Sequence, residues 1–169
     1  MAALSSGRNT PLKGEATQQA YSVEANTVIY LGSIVVLNDN GNAIPATAKT
    51  GAGALTAVPR VVGVANNVVS GDIGQDCHNV SGYPMIPSPS NLGSAGALSI
   101  NTAEGVFRFD NDVTNPASQA TVGKIVYAVD DHTVGTSNLT TTLASVGTVV
   151  QVDSLGVWVN LRTKSLPAT

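Results

Sequence analysis

Short runs of β-branched and other apolar residues recur from residue 27 onward, and turn-forming residues separate them at intervals of roughly 8–12 residues. In the last run Val157 and Val159 alternate with Trp158, which is typical of a strand with one apolar face. No window has the apolar spacing of an amphipathic helix of ordinary length. The pattern predicts an all-β fold, a single β-sandwich or β-barrel domain over residues 27–169. The predicted strands cover residues 27–31, 34–37, 43–46, 60–65, 77–80, 83–86, 97–100, 105–109, 122–129, 145–152 and 156–161.

One hairpin is predicted in detail. The run 34–37 is followed by a polar segment that contains Asn40-Gly41, and both residue types tolerate the positive φ of a type I′ turn. We expect the return strand at 43–46. Because Pro45 has no amide hydrogen to donate to a ladder, this return strand is predicted at a sheet edge.

Residues 1–26 show neither the period of a strand nor that of a helix. They are predicted to form a flexible N-terminal arm, separate from the domain at 27–169. Two interpretations stay open, a frayed terminus and an arm that becomes ordered against a neighbouring subunit. In the second, the larger apolar side chains of the arm make the contacts. These are Leu4, Leu12, Tyr21 and Val23.

Chain length and charge limit the classes of function that fit this sequence. A chain of 169 residues with 43% apolar residues fits one domain with a buried core. Only 11% of the residues are charged, and 8 Lys and Arg stand against 11 Asp and Glu. This balance disfavours a nucleic-acid partner, whose phosphates need cations. It suits a surface that lies against other protein.

Targeting signals and disulfides are not predicted. The first residues lack the basic and apolar regions of a signal peptide, and no window is long and apolar enough to cross a bilayer. The chain is therefore expected to be made in the cytoplasm, with no membrane partner. Cys77 is the only cysteine, so no disulfide forms within the chain.

Candidate chemical groups are few. Asp130, Asp131 and His132 are adjacent, and Asp110 and Asp112 form a second acidic pair. Neighbouring carboxylates can bind a cation, but the spacing of an EF-hand is absent. Both groups fall where predicted strands end, so we interpret them as turn-forming residues.

A nucleophile and base pair is not predicted either. Cys77 and His78 are adjacent, so on a strand their side chains point to opposite faces. The sequence holds no nucleophile elbow, phosphate loop or dinucleotide fingerprint. The chain is predicted not to be an enzyme and to bind no cofactor or metal ion. Trp158 allows two interpretations, a ring exposed for sugar stacking or a core or subunit contact, and we favour the contact.

Several motifs resemble those of capsid decoration (cement) proteins of tailed bacteriophages. They are Val61-Val-Gly-Val-Ala65, Gly105-Val-Phe-Arg-Phe109, Val122-Gly-Lys-Ile-Val-Tyr127 and the hairpin from Val146 to Leu161. The similarity spans roughly residues 59–162, and the long loops at 48–57 and 87–96 depart from the family pattern.

The resemblance implies a structural protein on the exterior of an icosahedral virion, which cements neighbouring subunits of the major capsid protein. It also implies self-association as a homotrimer, with a dimer as the alternative, and an arm at 1–26 that reaches across the shell. The expected contacts with the capsid or another subunit are Leu4, Leu12, Tyr21, Val23 and Trp158. The alternative function is a carbohydrate-binding or receptor-binding module, or a head-fibre module, on the virion surface.

Overall fold

The computed structural model describes residues 4–8, 10, 12–46, 60–68, 76–81, 92–137 and 143–161, with 12–17 and 67–68 described by their backbone. Within these ranges the chain has eleven β-strands, one 3₁₀ turn at Gln119–Thr121 and no α-helix, and hence no helix that spans a bilayer. The predicted strand 83–86 lies outside the described residues. The strands are β1 Leu12–Ser22, β2 Thr27–Ile29, β3 Ile34–Leu37, β4 Ala43–Pro45, β5 Arg60–Val68, β6 Cys77–Asn79, β7 Ser99–Asn111, β8 Ile125–Ala128, β9 Thr133–Gly135, β10 Ser145–Asp153 and β11 Gly156–Asn160.

Five strands close into a barrel. Around the ring they follow the order β7, β9, β8, β10 and β11, and β11 pairs back onto β7. Val159 lies opposite Phe107 at this closure, while the parallel pair β7–β9 sets Asp110 opposite Thr133. The all-β prediction is confirmed, and of its two alternatives the barrel is the one that forms.

Strand β7 belongs to two parts of the sheet because it is long. Its first half pairs with β5, from which β3 and β4 continue, and its second half belongs to the barrel. Strand β1 pairs along the other edge of β7, from Ser99 to Phe107. The sequence pattern predicts two strands here because polar residues separate 97–100 from 105–109. One of these polar residues, Thr102, is nevertheless buried within the strand. Its burial is tolerated because its hydroxyl donates a hydrogen bond of 3.0 Å to the Val62 carbonyl.

Two apolar clusters form the core. The barrel cluster centres on fully buried Phe109, with Val126 and Val157 among its members. The second cluster lies under β3 and β5, and includes Val23 and Leu98. Strands β2 and β6 form a separate two-stranded sheet beside it.

The predicted hairpin is confirmed, with one change in its turn. Strands β3 and β4 pair antiparallel, and Pro45 lies in the strand that ends the sheet. The Gly41 amide donates to the Asn38 carbonyl at 2.9 Å, and Gly41 has a φ of 80°. Asn40 does not have positive φ. The turn is therefore type I followed by a left-handed glycine, and the type I′ prediction is wrong.

Residues 12–26 of the segment predicted as an arm lie along the domain in the described structure, while the arm at 1–26 as a whole stays a prediction. Strand β1 pairs antiparallel with β7 from Leu12 to Ser22, and Val23 is completely buried. Gln18 and Gln19 are both exposed although they alternate along β1. Such a strand is held by main-chain hydrogen bonds and shows no apolar alternation, which is why the sequence pattern does not reveal it.

Candidate functional site

Trp158 lies on the outside of the barrel. Its neighbours Val157 and Val159 are fully buried, so strand alternation directs the indole outward, where it is partly exposed. The indole Nε1 donates to Asp153 Oδ2 at 2.8 Å, and the Arg108 guanidinium lies 5.9 Å from the ring centroid. The hydrogen bond from Trp158 is the main cause of a lowered pKa of Asp153. The ring is thus held in one orientation by two neighbouring strands.

A β-bulge in β10 adds an apolar side chain to this surface. Val149 pairs with Val159, Gln151 pairs with Trp158, and Val150 is the extra residue between them. Val150 is 43% exposed, and Ile125 on the adjacent β8 is 46% exposed. We call Arg108, Ile125, Val150, Gln151 and Trp158 the outer barrel face. In the sequence, the bulge is marked by the Val149–Val150 doublet, which breaks the alternation of apolar and polar residues along β10.

Of the other predicted contact residues, the three whose side chains are described, Leu4, Tyr21 and Val23, do not join Trp158. Leu4 is partly buried at the barrel end, where its amide donates to Asp131 Oδ1 at 3.0 Å. Tyr21 packs against the second cluster, and Val23 is one of that cluster's buried members. Leu12 opens β1, and its side chain lies outside the described part of the structure. The side chain of Val23 therefore contacts its own domain, directly after β1 ends at Ser22.

A second group of polar residues lies at one end of the barrel. Asp130 and Asp131 are 6% and 1% exposed, and His132 Nδ1 lies 3.2 Å and 3.0 Å from their respective Oδ1 atoms. Asp130 Oδ1 also accepts hydrogen bonds from the amides of His132 and Thr133. These bonds confirm Asp130 as a turn-forming residue. We call Asp130, Asp131 and His132 the barrel-end cluster.

The N-terminal segment and β7 reach this cluster. Arg8 makes two hydrogen bonds of 3.2 Å to the carboxylate of Asp110, which lies 4.0 Å from His132 Nε2. The Ser33 hydroxyl donates to Asp131 Oδ2 at 3.3 Å. The cluster therefore connects segments that are far apart in the chain.

The remaining candidates have structural roles. Asp112 accepts hydrogen bonds from the amides of Thr114 and Asn115, which confirms it as a turn-forming residue. Cys77 is buried and His78 is not, as expected for opposite faces of β6. Burial raises the pKa of the Cys77 thiol to about 12, so the nucleophilic thiolate is scarce at neutral pH.

A cleft of about 530 Å³ lies between the N-terminal segment and strands β5 and β7. Among the described residues, two with charged side chains line it. Arg8 is bound to Asp110, and Asp76 Oδ1 accepts the Leu31 amide at 2.9 Å. Arg8 thus joins the N-terminal segment to β7, and Asp76, the residue before β6, bonds to the segment that follows β2.

Comparisons with protein families, with curated proteins and with solved structures find no match to this chain.

Proposed function

We propose that this chain is a structural protein of a bacteriophage virion, which binds the capsid exterior and cements neighbouring subunits of the major capsid protein. The observation that carries the proposal is the outer barrel face, where Ile125 and Val150 expose apolar surface beside Trp158. Apolar and aromatic side chains with an arginine are typical of the centre of a protein interface. With few charges on the chain, such a surface suits contact with protein.

The positions of the resemblance motifs also support the proposal. The motifs at 105–109 and 122–127 contribute to β7 and β8, and 146–161 contains most of β10 and all of β11. These strands form most of the closed barrel. The resemblance to decoration proteins is therefore concentrated in the part of the chain that presents the outer barrel face.

Repeated weak contacts suffice for this function. A homotrimer, the expected assembly, presents three outer faces to one shell, and linked sites gain avidity from effective concentration. A dimer presents two by the same reasoning. Neither assembly requires a single residue to supply most of the binding energy.

Quantitative mass spectrometry of purified particles tests the role directly. We expect a fixed ratio to the major capsid protein, equal to one or to a simple fraction. Absence from the particles contradicts the proposal. A few copies per particle instead favours the receptor-binding alternative, in which Trp158→Ala reduces binding on a glycan array.

Binding of the purified chain to capsid shells tests the surface. Val150→Asp introduces a charge on the outer barrel face, and we expect it to weaken shell binding at least about tenfold, since desolvating an unpaired charge is costly. Val113→Asp is the matched control, because Val113 is 82% exposed in a loop apart from that face. Equal shell binding by the two variants would contradict the role of the outer barrel face.

A further inference from the structure

We propose that the barrel-end cluster binds one divalent cation of the zinc type, with the Asp130 and Asp131 carboxylates and His132 Nδ1 as its protein ligands. One ligand atom from each residue lies within 4.8 Å of the other two. This site is independent of the proposed function and revises the sequence prediction that the chain binds no metal.

The burial of two like charges is the first reason. Asp130 and Asp131 are almost completely buried, and a buried carboxylate needs a compensating cation. Arg8 makes its ion pair with Asp110. Among the described residues, the ion pairs of Asp130 and Asp131 are with His132 alone. One imidazole, charged only when protonated, thus faces two carboxylates.

An unpartnered buried oxygen is the second, independent reason. Asp130 Oδ2 is buried and accepts no hydrogen bond from the described residues, and the adjacent Thr133 hydroxyl also lacks a partner there. Buried polar atoms in proteins are nearly always satisfied. The other oxygen of the same carboxylate lies 3.2 Å from His132 Nδ1, so the unpartnered oxygen belongs to the cluster. A cation held there accepts its lone pairs.

The spacing of the donor atoms fits a metal. Bonds of about 2.1 Å place neighbouring ligand atoms about 3.0 Å apart at right angles and about 3.4 Å apart at tetrahedral angles. The separation from His132 Nδ1 to Asp131 Oδ1 is 3.0 Å, which falls at the short end of this range and is a hydrogen bond between the two groups in the metal-free chain. For Asp130 the proposed ligand atom is the unpartnered Oδ2, since Oδ1 accepts the two turn amides. The imidazole nitrogen favours zinc over calcium and magnesium, which prefer oxygen alone.

The surrounding groups are those that usually orient metal ligands. With Nδ1 on the metal, His132 Nε2 carries the proton, and Asp110 lies 4.0 Å from it. Carboxylates that accept a hydrogen bond from this nitrogen orient the imidazole of many metal sites; at 4.0 Å, Asp110 faces the nitrogen without a direct hydrogen bond. Ser33 and the Leu4 amide orient Asp131 in the same way. Metal binding would thus fasten the N-terminal segment to the barrel.

Calorimetric titration of the EDTA-treated full chain with zinc chloride tests the site. We expect one zinc per chain with a Kd of about 10 μM or tighter, and a rise in Tm of about 5–10 °C at a hundredfold excess over Kd. Asp130→Asn keeps the oxygen that accepts the two turn amides and replaces the charge. It should weaken binding at least about tenfold, as should His132→Gln.

Asp112→Asn is the matched control. Asp112 is also a buried turn carboxylate, but both of its oxygens accept amide hydrogen bonds, and we expect its substitution to leave zinc affinity unchanged. The proposal is overturned if the wild-type chain shows no saturable binding, or if Asp130→Asn and His132→Gln bind like wild type.

Zinc X-ray absorption of the wild-type chain gives a result that does not depend on the folding of a variant. An imidazole with oxygen neighbours supports the barrel-end cluster. A sulfur neighbour overturns the proposal, because it would place the metal at Cys77.

Discussion

Replacing Val23 with alanine tests whether the N-terminal segment is part of the domain core. Val23 has 0% exposure and packs in the second cluster directly after β1. Losing two buried methyl-sized groups removes about 1.6 kcal/mol of transfer free energy, and the cavity left behind raises the cost to about 2–3 kcal/mol. For a domain of this length, that loss lowers Tm by about 5–10 °C.

Urea unfolding followed by tryptophan fluorescence measures this loss. Trp158 is the only tryptophan, and its contacts with Asp153 and Arg108 break on unfolding. We expect a lower urea midpoint for Val23→Ala at an unchanged slope, which indicates a change in stability rather than in the surface exposed.

Val113→Ala is the matched control, because Val113 is 82% exposed, and its effect should stay within about 0.5 kcal/mol. A loss of less than about 0.5 kcal/mol for Val23→Ala as well would refute the placement of Val23 in the core. It would favour instead an arm that is ordered only by another subunit. If Val23 does belong to the core, deleting residues 1–24 also destabilises the domain. Such a deletion therefore cannot be used to test an arm separately from the domain.

Three further outcomes are expected. Buried Cys77, with a pKa raised to about 12, should react with a thiol reagent at neutral pH only after unfolding, and rapid labelling of the folded chain would contradict its burial. The pKa of Glu24 is lowered in the folded chain, chiefly by the hydrogen bond from the Ala25 amide and then by the one from Asn42. The stabilisation from Glu24 is therefore present above the pKa that Glu24 has in the unfolded chain, and it is lost as the pH falls through its pKa in the folded chain. Urea midpoints at pH 7 and pH 3 should therefore differ less in Glu24→Gln than in wild type, and an equal difference would refute this contribution. Gly63 has a φ of 138°, and a Cβ there would lie 2.8 Å from the Ala103 carbonyl oxygen. Gly63→Ala should therefore lower the free energy of unfolding by about 1–3 kcal/mol. An unchanged Tm would contradict the close approach of β5 and β7.

Local patterns identify the strands whose two faces differ. In β11, Val157 and Val159 are buried while Trp158 is only partly so, as the alternation predicts. The hairpin β3–β4 follows from its apolar runs and its turn residues, and the chemistry of Pro45 predicts the edge. These features depend on side chains within a few residues of each other, so the amino-acid order alone specifies them.

The candidate sites depend on contacts that local patterns do not contain. Arg8 meets Asp110 across 102 positions, and the Leu4 amide meets Asp131 across 127. The sequence predicts the turn role of Asp130, but not that the end of β7 brings another carboxylate close to His132. Such juxtapositions arise from strand order, which the hydrophobic period does not encode.

The sequence by itself thus determined the strand-rich character, the β3–β4 hairpin and the placement of Trp158 on the strand face opposite Val157 and Val159, because alternation and turn chemistry are local. Only the tertiary structure decided that the sheet closes through β7 and β11, that β1 pairs along β7, and that a bulge turns Val150 outward. Barrel closure and the polar strand β1 are stabilised by main-chain hydrogen bonds between distant segments. Those bonds are nearly independent of side-chain identity and leave no periodic signal in the chain.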